Sequence, residues 1–166
     1  FAFSILADPV DNYGTGSTHN AEFYVRPTDG RVLFFPHDLD FYGSAPQNAV
    51  ASSQDLQKLI ASPIYARIFY GHLYDILQTS YNGDYMAHWC QQLGDLLPAQ
   101  NFAGHLQFIT TRAAWVLSGA SNSVLQAIPE VSFEITTNGG ADFESEGAMV
   151  PLSGQGWVDV HTIWRS

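Results

Sequence analysis

Cysteine, lysine and long apolar runs are all scarce in this 166-residue sequence. Its single cysteine, Cys90, cannot close a disulfide within the chain, which excludes a disulfide scaffold and a zinc site built on several thiolates. Basic residues number 6 against 16 acidic ones, the formal net charge is -10, and Lys58 is the only lysine. Such a surface repels phosphate backbones and anionic lipid, so nucleic acid is not an expected partner. The apolar stretches Arg31–Pro36 and Ala113–Leu117 fall far short of the roughly 20 residues that cross a bilayer, so no membrane insertion is expected. There is no G-x-S-x-G elbow, and Gly14-Thr15-Gly16-Ser17 lacks the lysine and spacing of a P-loop, so a serine hydrolase and a P-loop NTPase are set aside. The apolar opening Phe1-Ala2-Phe3-Ser4-Ile5-Leu6 lacks the charged n-region and cleavage site of a signal peptide, and the chain reads as a piece of a longer protein whose beginning lies upstream.

What is present is 46% hydrophobic and 14% aromatic residues, enough for a packed core and too many for disorder. The first 43 residues read as strands and loops. Ala21–Arg26 and Arg31–Phe35 carry strand composition around the turn residues Pro27-Thr28-Asp29-Gly30, which predicts a β-hairpin. Residues 8–20, rich in Gly, Asn, Asp, Ser and Thr, read as a long loop before it. From about residue 53 to 127 the period becomes helical. Ser52 or Ser53 suits the cap of a helix over 54–61, and Ser62-Pro63 opens one with Ile64, Ile68, Phe69, Leu73, Ile76 and Leu77 on its inner side. Asp84 is expected to cap a helix turning Met86, Trp89, Cys90, Leu93, Leu96 and Leu97 inward; Asn101 precedes another with Phe102, Leu106, Ile109, Ala113 and Val116 or Leu117 inside, stopping near Gly119; a short one is expected within 121–128. Beyond Pro129, alternation over 131–136 and 157–163 around Asn138-Gly139-Gly140 predicts strands again, too few to close a sandwich.

The chemistry concentrates in Phe35-Pro36-His37-Asp38-Leu39-Asp40-Phe41-Tyr42-Gly43. Two carboxylates two positions apart at a strand end share a face if the strand persists, and their mutual repulsion favours a bound cation. Hard cations such as Mg2+ take oxygen ligands of this kind. The hairpin returns the chain toward Asp11, His19 and Asn20 in the preceding loop, and phosphoryl transfer needs such parts: one aspartate to accept a hydroxyl proton, and an Asn and an Asp to hold metal. His19, His37 and Asp38 also permit a two-histidine, one-carboxylate site for a transition metal. The other histidines, His72, His88, His105 and His161, read as packed or solvated, and Asp142, Glu144 and Glu146 as a solvent-facing strand edge or, alternatively, as ligands for Ca2+.

Taken in order, Asp11, then His19-Asn20-Ala21-Glu22-Phe23-Tyr24-Val25, Gly30, and the run Phe35–Gly43 resemble the CotH-type atypical kinases, the family of spore coat protein H. The resemblance covers roughly residues 1–128. It implies an α+β fold: a kinase-like catalytic hairpin plus a helical C-lobe over 1–128, followed over 129–166 by the start of a β-sandwich-like module. It implies Mg2+- or Mn2+-dependent transfer of the ATP γ-phosphoryl group to a hydroxyl of a protein substrate, with Asp11 as the catalytic-loop aspartate, Asn20 and Asp38 as metal ligands, and Asp40 as an auxiliary ligand. The family's association with envelopes and secreted multidomain proteins implies an extracytoplasmic place. Three departures stand out. Asp11 and Asn20 are nine positions apart, against five in ordinary protein kinases, which leaves Asp8 as a rival for the catalytic place. His37 stands where the family has tryptophan. The lysine that would grip ATP is missing, since Lys58 follows the site, so this stretch is expected to be inactive by itself. The alternative is a non-catalytic, kinase-like binding or structural module of a large surface or secreted protein.

Overall fold

The computed structural model describes residues 1–7, 11–15, 19–38, 43, 45–51, 53–120, 123–147 and 149–164. Among these residues the chain is mixed α+β, with six α-helices and two small antiparallel sheets. Helix α1 (Ala2–Ala7) and a 3-10 turn (Tyr13–Thr15) precede the hairpin β1 (Ala21–Val25) and β2 (Val32–Pro36). Then come α2 (Gln54–Ile60), α3 (Pro63–Thr79), α4 (Gly83–Leu96), α5 (Phe102–Leu117) and α6 (Val124–Ala127). The two-residue strands β3 (Glu134–Ile135) and β4 (Gly154–Gln155) follow, with a 3-10 turn (Thr137–Gly140) after β3. No helix among the described residues is long and apolar enough to cross a membrane.

Helix α1 corrects the expectation of strands and loops over the first 43 residues. A six-residue apolar run has no period long enough to distinguish helix from strand, and packing decides. Ile5 and Leu6 are fully buried where α1 meets α3 and α5. Each carbonyl at the end of α1 finds a donor from elsewhere in the fold. Ile5 O accepts from Arg112 Nη2 at 2.9 Å, Leu6 O from Tyr81 Oη at 2.8 Å, and Ala7 O from Gly43 N at 3.0 Å.

Side chains cap α2, α4 and α5, whereas Ser62 before α3 makes no side-chain cap bond and that helix opens on Pro63 instead. Ser53 Oγ accepts from Leu56 N, and Asn101 Oδ1 accepts from Gly104 N at 3.0 Å; Ser52, the other cap considered for α2, lies outside the described residues. In α4 the cap is Asn82 rather than Asp84: Asn82 Oδ1 accepts from Tyr85 N at 2.9 Å, while its Nδ2 donates to Leu77 O at 3.0 Å near the end of α3. One side chain thus closes one helix and opens the next. Asn82→Ala is expected to lower stability by about 1 kcal/mol, the usual loss of an N-cap, with Asn82→Ser recovering part of it in urea denaturation.

The core joins α1, α2, α3, α5, α6, Val50 and Ala51 to Trp157 and Val158. The buried side of α3 is Phe69, Tyr70, Leu73 and Leu77, whereas Ile64 and Ile68, one turn apart, share an exposed side of the helix. Helix α4 packs chiefly on α5 and buries only Cys90, leaving Trp89, Leu93, Leu96 and Leu97 exposed. In both helices the apolar stripe is wider than the contact available to it.

The C-terminal strands are also shorter than the alternation predicts. β3 and β4 pair Glu134 with Gln155 and Ile135 with Gly154, and a Cβ on Gly154 would lie 2.5 Å from Glu134 O, so only glycine fits that rung. The stretch 157–163 is not a strand. Consecutive Trp157 and Val158 are both buried, which the two-residue period of a strand packed on one face does not allow. The chain there bends around Arg67, whose guanidinium donates to the carbonyls of Gly156 at 2.7 Å, Trp157, and Val160 at 3.4 Å.

Candidate active site

The hairpin assembles the site by its register. Its turn is held by Asp29, which accepts from Arg26 Nε at 2.7 Å and from Arg31 N at 3.2 Å, and Gly30 takes the positive φ of 69° that the reversal needs. The ladder runs from Val25 opposite Val32 to Ala21 opposite Pro36. His19 and Asn20, just before β1, therefore lie at the same end of the ribbon as His37 and Asp38, just after β2. Asn20 (φ 57°) and Asp38 (φ 50°) both adopt the left-handed conformation in which Asn and Asp are the best tolerated residues after glycine. The chain therefore bends at both positions where it leaves the paired strands.

The preceding loop is joined to this end. Asn20 Nδ2 donates to the main-chain carbonyl of Asp11 at 3.2 Å, and Asn12 Nδ2 donates to the carbonyl of Asn20 at 3.4 Å. Asn12 Oδ1 accepts from Gly14 N at 2.8 Å, an Asx-type turn. Asn12 is 4% exposed, and a Cβ on Gly14 would stand 3.3 Å from both Asn12 Oδ1 and Ile5 Cδ1, so the loop is seated on α1. The structure thus brings Asp11 and Asn20 together and sets Asp38 at the same end of the hairpin. Asp40, and Asp8 as the rival aspartate, lie outside the described residues.

Two features bear on what this arrangement can hold. Asp11 Oδ1 is buried and has no hydrogen-bond partner among the described residues. A carboxylate oxygen so placed is an acceptor without a donor, and a hydroxyl proton or a hard cation satisfies it. In Asn20 the amide nitrogen is committed to the Asp11 carbonyl, so Oδ1 remains as the atom a cation takes. The side chains of Asp11, Asn20 and Asp38 offer oxygen, the donor type that Mg2+ or Mn2+ takes. The two-histidine reading is not supported: among the described residues no three His, Cys, Asp or Glu side chains gather for a metal, and His37 Nε2 instead lies 3.3 Å from Glu22 Oε1 across the hairpin.

An aromatic wall stands beside the loop. Tyr13 stacks on Phe34 at 6.4 Å between ring centroids and Phe1 packs against both. The Tyr13 hydroxyl donates to Asp55 Oδ2 at 2.8 Å, tying the loop to α2. This hydrogen bond, with Lys58 beside it, holds the Asp55 carboxyl below its ordinary range, and the same bond raises Tyr13. A carboxyl depressed in the folded state stabilises above its unfolded value, and the contribution is lost as pH falls through the folded value. Tyr13→Phe is therefore expected to move the Asp55 titration upward, as read by carboxyl-carbon NMR; an unmoved titration would show that the tether does not form in solution.

Asn12 and Tyr13 are two further residues of the site, beyond those the sequence marks by chemistry. The signal for Asn12 was there in Asn12-x-Gly14, the local pattern of an Asx turn, whereas nothing local marks Tyr13 as the partner of a residue 42 positions away. Comparison with protein-family models, with curated proteins and with solved structures finds no match to this chain.

Proposed function

We propose that this chain carries the catalytic hairpin and helical lobe of a CotH-like atypical protein kinase, which transfers the γ-phosphoryl group of ATP to a protein hydroxyl with Mg2+ or Mn2+. The observation that carries the reading is the joint between loop and hairpin, where Asn20 is bonded to the Asp11 main chain while Asp11 keeps a buried carboxylate oxygen without a donor. In this reading Asp11 accepts the proton of the attacking hydroxyl. Asn20, through Oδ1, and Asp38 hold the metal, with Asp40 as auxiliary ligand. The bound ion supplies positive charge to the phosphate oxygens. Helices α2–α6 form the helical lobe, residues 129–166 begin a β-sandwich-like module, and the protein acts outside the cytoplasm. In the full-length protein supplied with γ-labelled ATP and Mg2+ or Mn2+, label is expected to enter protein. Asp11→Asn is expected to slow it by about 10²–10⁴-fold, the range for a lost general base, and Asp38→Ala to reduce it to background. Unchanged labelling in Asp38→Ala would remove the assignment.

A second reading, a kinase-like binding module without chemistry, is favoured by the cations. Each described cationic side chain of lysine or arginine is already engaged: Arg26 and Arg31 with Asp29, Lys58 with Asp55, Arg67 and Arg112 with carbonyls. None of them supplies counter-charge to a triphosphate at Asp38. Metal-dependent ATP binding by the full-length protein discriminates the readings; its absence supports the module.

A further inference from the structure

We infer that Asn12 is a positioning residue of this site, holding Asn20 in the orientation in which its amide oxygen faces a cation. The inference rests on the metal-site reading of Asn20 and Asp38 given above. Asn12 touches neither nucleotide nor metal in this scheme; it acts through the two residues that do.

The argument starts from burial. A primary amide that is 4% exposed costs free energy unless its donors and acceptor are met, and the loop is shaped to meet them. The Oδ1 atom closes the turn onto Gly14 N at 2.8 Å, and Nδ2 reaches Asn20 O at 3.4 Å. Asn20 answers with Nδ2 to Asp11 O at 3.2 Å, so two adjacent loop residues and the residue preceding β1 form a reciprocal clasp. Asn20 is also in the left-handed region, where a non-glycine residue persists only if its surroundings hold it. Its carbonyl is fixed by Asn12, and its side chain by Asp11. Releasing the carbonyl lets the peptide rotate back toward negative φ, which swings the Asn20 amide off Asp11 at the end of the hairpin where Asp38 also lies. Gly14 contributes by having no Cβ: a methyl there would meet Asn12 Oδ1 and Ile5 Cδ1, both at 3.3 Å.

Groups that orient a metal ligand without touching the ion alter metal affinity by about 10–100-fold when removed. Mn2+ is the probe, and its binding to the full chain is followed by electron paramagnetic resonance. The expected result is that the parent binds Mn2+, that Asp38→Ala does not, and that Asn12→Ala binds at least tenfold more weakly while its circular dichroism spectrum is unchanged. Asn12→Ser, smaller and still polar, provides the same comparison should Asn12→Ala fail to fold. If Asp38→Ala loses Mn2+ while both Asn12 variants bind like the parent, the positioning role is overturned and the metal site stands. Failure of the parent to bind Mn2+, or binding that survives Asp38→Ala, overturns the metal site and the role of Asn12 with it. A readout beyond folding comes from turnover in the full-length protein: the Mn2+ concentration needed for half-maximal rate is expected to rise in Asn12→Ser, whereas mere loss of folded protein lowers the rate without altering that concentration.

Discussion

Replacing Arg112 with alanine is expected to destabilise the fold by about 3–5 kcal/mol, more than any other single change on α5. Arg112 is 1% exposed, on the same side of α5 as Ile109, Ala113 and Val116. A guanidinium in such a place is tolerated only where its N–H groups are met. Here Nη1 donates to Pro46 O at 3.1 Å and to Asn48 O, Nη2 donates to Ile5 O at 2.9 Å, and the plane stands 5.3 Å from the Trp115 ring centroid. Two backbone segments far apart in sequence, the end of α1 and residues 46–48, therefore meet on one side chain of α5. Alanine would leave three carbonyls without their donor, at about 1–3 kcal/mol for each that stays buried, with some recovery where the 45–48 segment reaches water. For a chain of this length, that loss corresponds to a fall in Tm of about 6–20 °C. Arg112→Lys is expected to recover little, because one ammonium cannot span the positions that the planar fork reaches. Denaturant unfolding of parent, Arg112→Ala and Arg112→Lys checks this. A loss below about 1 kcal/mol for alanine would mean that the 45–48 segment and α1 are held by other contacts.

Arg112 also shows why part of this fold was legible in the sequence and part was not. Signals confined to a few neighbouring residues could be read. Pro27-Thr28-Asp29-Gly30 between two strand-like runs marks the hairpin, and Ser53, Ser62-Pro63 and Asn101 mark helix starts close to where α2, α3 and α5 begin. Features that depend on partners distant in sequence could not. Helix α1 is six residues long and ends in carbonyls met by Arg112, Tyr81 and Gly43, none of which its own sequence announces. The apolar stripes of α3 and α4 were visible, but periodicity does not say how much of a stripe finds a neighbour, and Ile64, Ile68 and Leu96 find little. The candidate site divides in the same way. That Asp11 and Asn20 come close to the strand end at Asp38 follows from chain reversal. The bonds that set their geometry run through Asn12, whose importance lies in burial that a single sequence does not display.

Removing the indole of Trp157 is the second change expected to have a large effect, and its effect should be graded along the chain. Trp157 is 7% exposed, its Nε1 donates to Ile128 O at 2.7 Å, and its ring meets Tyr74 edge-on at 4.9 Å. It thereby fastens the 156–161 stretch to α3 and to the end of α6. Arg67 reinforces the attachment through three carbonyls of the same stretch, and His161 Nε2 lies 3.0 Å from Asp75 Oδ1. Trp157→Ala is expected to cost about 3–5 kcal/mol, the usual range for emptying a buried aromatic site. Trp157→Phe keeps most of the ring contact and loses the N–H, leaving Ile128 O without that donor, and should cost about 1–3 kcal/mol. Because β3 and β4 are only two residues long, they cannot hold residues 153–160 in place once the indole is gone. Hydrogen exchange should therefore rise first there, on α3 near Tyr74 next, and least on α4 and α5. Equal acceleration over all helices in Trp157→Ala would instead show that the indole supports the whole core as one unit. Protection retained over 153–160 would show that Arg67 alone is sufficient to hold the stretch.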